Sequence, residues 1–246
     1  MSILSSFNTP IDALVVGANG GIGRAFIDKL LGDANVRRVH AWSRQTCPIE
    51  HEKLSPLIID IGDETQLKSA ADTLEKLDLV IVASGILHND QGLFPEKSYK
   101  NIDPQNMAEG FLVNTIFPAL VAKHTLPRLP RHGRSIFCAL SARVGSISDN
   151  RLGGWYTYRA GKAALNQIIK CLSIELHRTH KEAVCIGLHP GTVNTALSEP
   201  FQKSLATGHK LFTPEKSALH LLSVINNVTI EQSGSLLAWN SDIIPA

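Results

Sequence analysis

Tyr158 and Lys162 are the residues whose types and spacing speak most directly of chemistry. Four apart on a helix, they share one face and their tips can converge. A tyrosine titrates near pH ~10 and shuttles protons poorly unless a positive charge stabilises its phenolate, which Lys162 would supply. Such a pair suits hydride transfer at a carbonyl: the phenol protonates the developing alkoxide, and in reverse the phenolate takes the proton of an alcohol.

A second signal lies near the start of the chain. Leu14-Val15-Val16-Gly17-Ala18-Asn19-Gly20-Gly21-Ile22-Gly23-Arg24 runs from an apolar strand straight into a helical pattern. Gly17, Gly21 and Gly23 allow a tight turn and a close approach of backbone to a pyrophosphate, with Asn19 and Ile22 between them. The N–H groups opening the helix attract the phosphate charge. At the end of the next strand stands His40-Ala41-Trp42-Ser43-Arg44, with no carboxylate before Glu50. An acidic residue there would favour NAD. Arg44 with Ser43 offers a guanidinium fork and a hydroxyl for the 2′-phosphate of NADP, with Arg24 as a helper, so NADP is the expected cofactor and NAD the lesser one.

The elements that must position these groups alternate from Asp12 onward. Short β-branched runs fall near Asp12–Gly17, Val36–Trp42, Pro56–Asp60, Asp78–Ala83, Arg134–Leu140, Ala183–Leu188 and Ser235–Trp239. Helical patterns fall near Gly21–Leu31, Glu64–Leu77, Pro104–Leu126, Gly154–Arg178 and Pro214–Ile225, with Asp63 and Thr213 as N-caps. This alternation predicts an α/β fold, a Rossmann-type doubly wound parallel sheet of about seven strands with helices on both faces. No repeat or linker divides the 246 residues, so one domain spanning 1–246 is expected. Gly191 to Phe212 is the longest stretch without periodicity and reads as a lid, in which Leu197, Leu205, Leu211 and Phe212 either line a pocket or anchor the loop.

Composition removes several alternatives. The formal net charge is +2, and the 24 Lys and Arg residues form no long block, so neither nucleic acid nor an anionic membrane is an expected partner. Cys47, Cys138, Cys171 and Cys185 make no C-x-x-C pair, and the histidines show no ligand spacing, so no metal is expected. Met1 to Pro10 lacks a basic start and an apolar run, and no segment reaches membrane-spanning length. The cytoplasm is the expected location.

In order and separation the glycine turn and the Tyr158/Lys162 pair resemble the short-chain dehydrogenase/reductase family over nearly the whole chain. Ser141-Ala142-Arg143-Val144-Gly145-Ser146-Ile147-Ser148-Asp149-Asn150, Gly85 to His88 and Tyr158 to Lys162 are most similar to the branch holding C-factor and sniffer-like carbonyl reductases. The resemblance implies a catalytic Asn at Asn114, whose carbonyl holds a relay water. Pro118, four residues on, gives an independent reason for that carbonyl to be free, because proline has no N–H to donate to it. It implies an adenine contact at Asp60 and Ile61, with helix capping as a second role for Asp60. Backbone contacts are implied at Ser84 and Gly85. The stretch from His189 to Thr195 follows, with Pro190, Gly191, Val193 and Thr195 holding the nicotinamide and pyrophosphate. It also implies a homodimer or homotetramer paired through the helices around Pro104–Leu126 and Gly154–Arg178.

The chain departs from the family at telling places. Val16 replaces a threonine, and Val82-Ala83-Ser84-Gly85 replaces Asn-Asn-Ala-Gly. The usual serine pair is Ser141-Ala142, so the catalytic member aligns with Ala142. Ser141, Ser146 or neither fills its place. The expected function is NADP(H)-dependent hydride transfer to or from a small apolar carbonyl or alcohol, with Tyr158 as acid and base. The alternative is a nucleotide-binding signalling protein of the C-factor kind with little turnover.

Overall fold

The computed structural model describes residues 2–60, 62–204 and 210–246, and of Lys203 and Ser204 the backbone alone. The strands are β1 (Ile11–Val16), β2 (Val36–Ser43), β3 (Leu54–Ile58), β4 (Leu79–Val82), β5 (Ser135–Leu140), β6 (Ala183–His189), β7 (Thr192–Val193), β8 (Leu211–Phe212), β9 (Leu236–Ala238) and β10 (Ile243–Ile244). The helices are α1 (Gly21–Leu31), α2 (Glu64–Asp72), α3 (Pro104–Phe111), α4 (Phe117–Thr125), α5 (Tyr156–Leu176) and α6 (Pro214–Asn227).

Eight strands form one sheet in the order β10-β9-β6-β5-β4-β1-β2-β3, every pairing parallel except β9 with β10. The middle strands β1, β4 and β5 are buried at every residue. Continuous apolar runs of this kind follow from a sheet covered on both faces. On one face α1 and α6 pack through Phe26, Ile27, Leu221 and Ile225; on the other α2, α4 and α5 pack through Leu67, Val121, Leu165 and Ile169. Chain order runs outward from β1 to β3, then returns to β4 on the far side of β1. The crevice at the carboxyl ends of β1 and β4 is where such sheets take ligands.

Asp63 caps α2 by accepting from the N–H groups of Thr65 and Gln66, and Thr213 caps α6 through Lys216, both as the sequence suggests. The sheet has eight strands rather than about seven, because β10 is a two-residue antiparallel partner too short to show a period. The helix expected over Glu64–Leu77 stops at Asp72. The one expected over Pro104–Leu126 is broken by a π-turn at Leu112–Ile116, where the Phe117 N–H reaches back five residues to Leu112. The expected start of α5 at Gly154 moves to Tyr156, since Gly153, Gly154 and Trp155 all have positive φ. β7 and β8 pair in a short parallel ribbon that ties the two ends of the Gly191–Phe212 stretch together. Cys47, Cys138 and Cys185 are buried, burial pushing the thiols of the last two up, and Cys171 is exposed.

Candidate active site

Lys162 is 3% exposed, and its Nζ donates to the Leu140 carbonyl at the end of β5, 2.8 Å away. Loss of water makes the charged form costly, so its pKa falls from 10.5 to about 8. One turn earlier on α5, Tyr158 is half-buried in a cleft wall, and desolvation pushes its phenol up to about 12. The ammonium lies 5.8 Å from the centre of the Tyr158 ring. Sequence reasoning assigns Lys162 the task of lowering the tyrosine pKa; in the structure burial sets the direction of the shift instead. At neutral pH the pair is therefore a protonated phenol beside a charged ammonium.

Asn114 joins this pair through the π-turn. It is 1% exposed; its amide Oδ1 accepts from the Ile86 N–H at 3.1 Å, and its Nδ2 donates to the Ile86 carbonyl at 2.8 Å. Pro118 has no N–H for the Asn114 carbonyl, and the helix ladder lengthens at this point. Thr115 Oγ1 donates to the Gly161 carbonyl at 2.8 Å, tying the turn to α5 between Tyr158 and Lys162. Gly85 completes the meeting point: a Cβ there would sit 3.3 Å from Asn114 Oδ1 and 3.7 Å from Lys162 Nζ.

Ser141 lines the cleft but gives its hydroxyl proton to Asn166, and Ser146 is not among the described residues that line it. Ser141 Oγ donates to Asn166 Oδ1 at 2.6 Å, two turns along α5 from Tyr158. Ser146 is buried, and its Oγ accepts from the Asp149 N–H at 3.1 Å. Ala142, which brings no hydroxyl, lines the cleft beside Tyr158.

The glycine turn is built for close approach. Gly17 has φ +84°, and a Cβ on it would meet the Ala83–Ser84 backbone at 2.9 Å; on Gly23 it would come 2.1 Å from the Gly17 carbonyl. Gly21 faces the Thr195 side chain, so the segment after β6 meets the start of α1. No side chain caps that helix and no acidic residue occupies its first turn, leaving its N–H groups for an anion. Asn19 Nδ2 donates to the carbonyls of Gln45 and Thr46, fastening this turn to the segment after β2. Arg44 there is exposed and makes no ion pair or hydrogen bond among the described residues, whereas Arg24 pairs with Asp28 at 3.4 Å. Ser43 departs from its expected place: it is buried, and its hydroxyl donates to the Gln45 carbonyl.

Asp60 is exposed and accepts from the Gly62 N–H at 2.9 Å; the capping role belongs to Asp63. Ile61 lies outside the described residues, as does Leu205. Ser84 keeps a buried hydroxyl without a partner. Ile22, Pro190, Gly191, Val193 and Thr195 line the same cleft as Tyr158. The Pro190 carbonyl also accepts from Ser217, and Gly191 has φ +76°. An uncapped helix start, a free guanidinium and an orphaned hydroxyl form a donor set that fits a dinucleotide phosphate chain.

The cleft has a volume of about 210 Å³. Leu197 lines it, while Phe212 is an anchor, its ring 4.8 Å from Trp239 in an edge-on contact, and Leu211 is 43% exposed. Sequence reasoning missed the aromatic wall. Trp155 lies 6.2 Å from the Tyr158 ring and 5.1 Å from Phe201, which in turn lies 5.2 Å from Phe94. The Trp155 N–H donates to the Glu96 carbonyl at 2.6 Å, and the buried Glu96 carboxylate accepts from the Thr157 N–H and hydroxyl at the start of α5. Trp155 sits just before α5 with a left-handed backbone, so no helical spacing in the sequence points to it.

Among the described residues no His, Cys, Asp and Glu group could hold a metal ion, and no helix is long and apolar enough to cross a membrane. The chain belongs to the short-chain dehydrogenase family, whose model matches residues 12–206. The 1-hydroxy-2-glutathionyl-2-methyl-3-butene dehydrogenase of Rhodococcus sp. strain AD45 is 30% identical, aligned over 90% of this chain and 93% of the relative. The C-signal protein of Myxococcus xanthus is also 30% identical, over 59% of this chain and 81% of its own. The structure of an NADPH-bound carbonyl reductase from chicken fatty liver superposes with a TM-score of 0.82 at 26% identity, covering 98% of this chain and 97% of that one.

The low Lys162 pKa has a stability consequence. A lysine whose folded pKa lies below its unfolded value weakens the fold while charged, and the penalty is relieved as pH rises from about 8 towards 10.5. Urea unfolding should show the wild type gaining of order 2 kcal/mol relative to Lys162→Met between about pH 7 and about pH 10. A difference that stays flat with pH would contradict the assignment.

Proposed function

We propose that the chain is an NADP(H)-dependent oxidoreductase acting on a small, largely apolar carbonyl or alcohol, with Tyr158 as acid and base. The observation that carries this reading is the buried Lys162 ammonium, held by the Leu140 carbonyl beside a phenol that opens on an aromatic cleft. The uncapped start of α1, with Gly17, Gly21 and Gly23, would take the pyrophosphate. Arg44 would take the 2′-phosphate, Asp60 the adenine, and the run from Pro190 to Thr195 the nicotinamide end. Bound NADPH supplies the hydride.

The protein's own groups supply the proton. With its pKa pushed up, Tyr158 is protonated at neutral pH and can serve as the acid in reduction of a carbonyl. Lys162 charge then stabilises the phenolate left behind. The Asn114 carbonyl, freed by Pro118, holds the water that returns a proton. No serine hydroxyl assists at the carbonyl oxygen, a loss of about 3 kcal/mol of transition-state stabilisation by the cost of deleting one such donor.

A second reading, a nucleotide-binding signalling protein with little turnover, is favoured by that missing donor and by the C-signal relative. The whole chain, 1–246, then acts as one nucleotide-binding unit under either reading. Leu112, Ile116 and Ile174 are exposed on the π-turn and α5, the helices expected to pair copies of the chain. A homodimer or homotetramer should sediment at micromolar concentration, and a monomer would overturn the pairing.

NADPH oxidation against ketones, aldehydes and quinones separates the two readings. Tyr158→Phe should lower turnover by about a thousandfold or more, and Ala142→Ser should raise kcat by about tenfold or more. Nucleotide binding with no Tyr158-dependent turnover would favour the signalling protein. Arg44→Ala should cut the preference for NADPH over NADH by about tenfold, and an unchanged ratio would remove Arg44 from the 2′-phosphate site.

A further inference from the structure

The cleft is unevenly charged. Of its lining residues among those described, Arg143 alone carries a formal charge at every physiological pH, and no carboxylate lines it. Arg143 opens the short turn that follows β5 and Ala142, so it stands on the same rim as Tyr158. Its Nη1 donates to Asp149 at 2.8 Å, and the two side chains are 50% and 37% exposed. A guanidinium carries five N–H donors in a planar fork, so this contact leaves donors for a second anion. An ion pair so exposed to water is weak and is readily shared or displaced.

The same cleft carries an aromatic side whose rings are tilted or edge-on to one another. Trp155 holds a left-handed backbone, φ 53°, fixed by the bond from its N–H to the Glu96 carbonyl, and its ring packs against Phe201 and Tyr158. A non-glycine residue kept in that conformation at a cleft marks a position that the surrounding contacts hold in place. Aromatic rings and a lone guanidinium lining one cleft select an apolar, aromatic body that ends in an anion.

We infer that the substrate of this site is an aromatic carbonyl compound bearing a carboxylate, with Arg143 as the anion-recognising residue. The inference rests on the proposed oxidoreductase reading and names its substrate class. It also gives the Asp149 contact a role: the carboxylate screens Arg143 until a stronger anion arrives.

The test compares 4-carboxybenzaldehyde with its neutral methyl ester, methyl 4-formylbenzoate, in NADPH-dependent reduction by the full chain. Wild type should prefer the carboxylate in kcat/KM by about tenfold or more. Arg143→Met should remove that preference, and Asp149→Asn should enlarge it. A structural role for the Arg143–Asp149 pair would instead lower both substrates together in both variants, and an unchanged ratio in Arg143→Met overturns the inference. Calorimetric binding of 4-carboxybenzyl alcohol against benzyl alcohol gives the second readout. Arg143-dependent binding without turnover would keep the subsite and sink the oxidoreductase reading. Turnover with no carboxylate preference would do the reverse.

Discussion

The active site depends on one burial. A lysine ammonium sits almost fully out of water at the carboxyl edge of the sheet, anchored to the Leu140 carbonyl. An isolated ammonium in such a place is expensive, and the structure answers with a strong acceptor and a lowered pKa. Much of the local architecture serves to keep that charge in position. The Gly85 backbone runs alongside, the π-turn brings Asn114 to it, and Thr115 fastens the turn to α5. Burial thus acts on two groups in opposite directions, raising the phenol and lowering the ammonium, and leaves a proton donor next to a charge that can stabilise its conjugate base.

The chain keeps this pair while losing its usual neighbour. Ala142 has no hydroxyl, Ser141 points its proton to Asn166, and Ser146 accepts from the Asp149 N–H. The cleft carries an aromatic side and, among the described residues that line it, one permanent cation.

Legibility in the sequence followed the range of the interaction. Tyr158 with Lys162, and the glycines from Gly17 to Gly23, were readable because spacing along one helix or one turn settles them. Pro118 announced a disturbance near Asn114, and the structure gives its form as a π-turn. Trp155 was not readable as part of the site, because its place depends on three successive positive φ angles and on Glu96, far away in the chain. The partner of Ser141 was hidden for a similar reason, since the side-chain alternation of a strand does not say which helix residue lies opposite its end. β10 escaped because two residues show no period, and Ser43 because its burial depends on how the segment after β2 folds back to Gln45.

Lys162 is charged, buried and easily deprotonated beside Tyr158. A titration of the lysine side chains by NMR, using protein labelled with carbon-13 at the lysine Cε, reads this directly. One lysine should titrate near 8, its signal missing from Lys162→Met, with the others near their ordinary value. A spectrum in which every lysine titrates at the ordinary value would contradict the account.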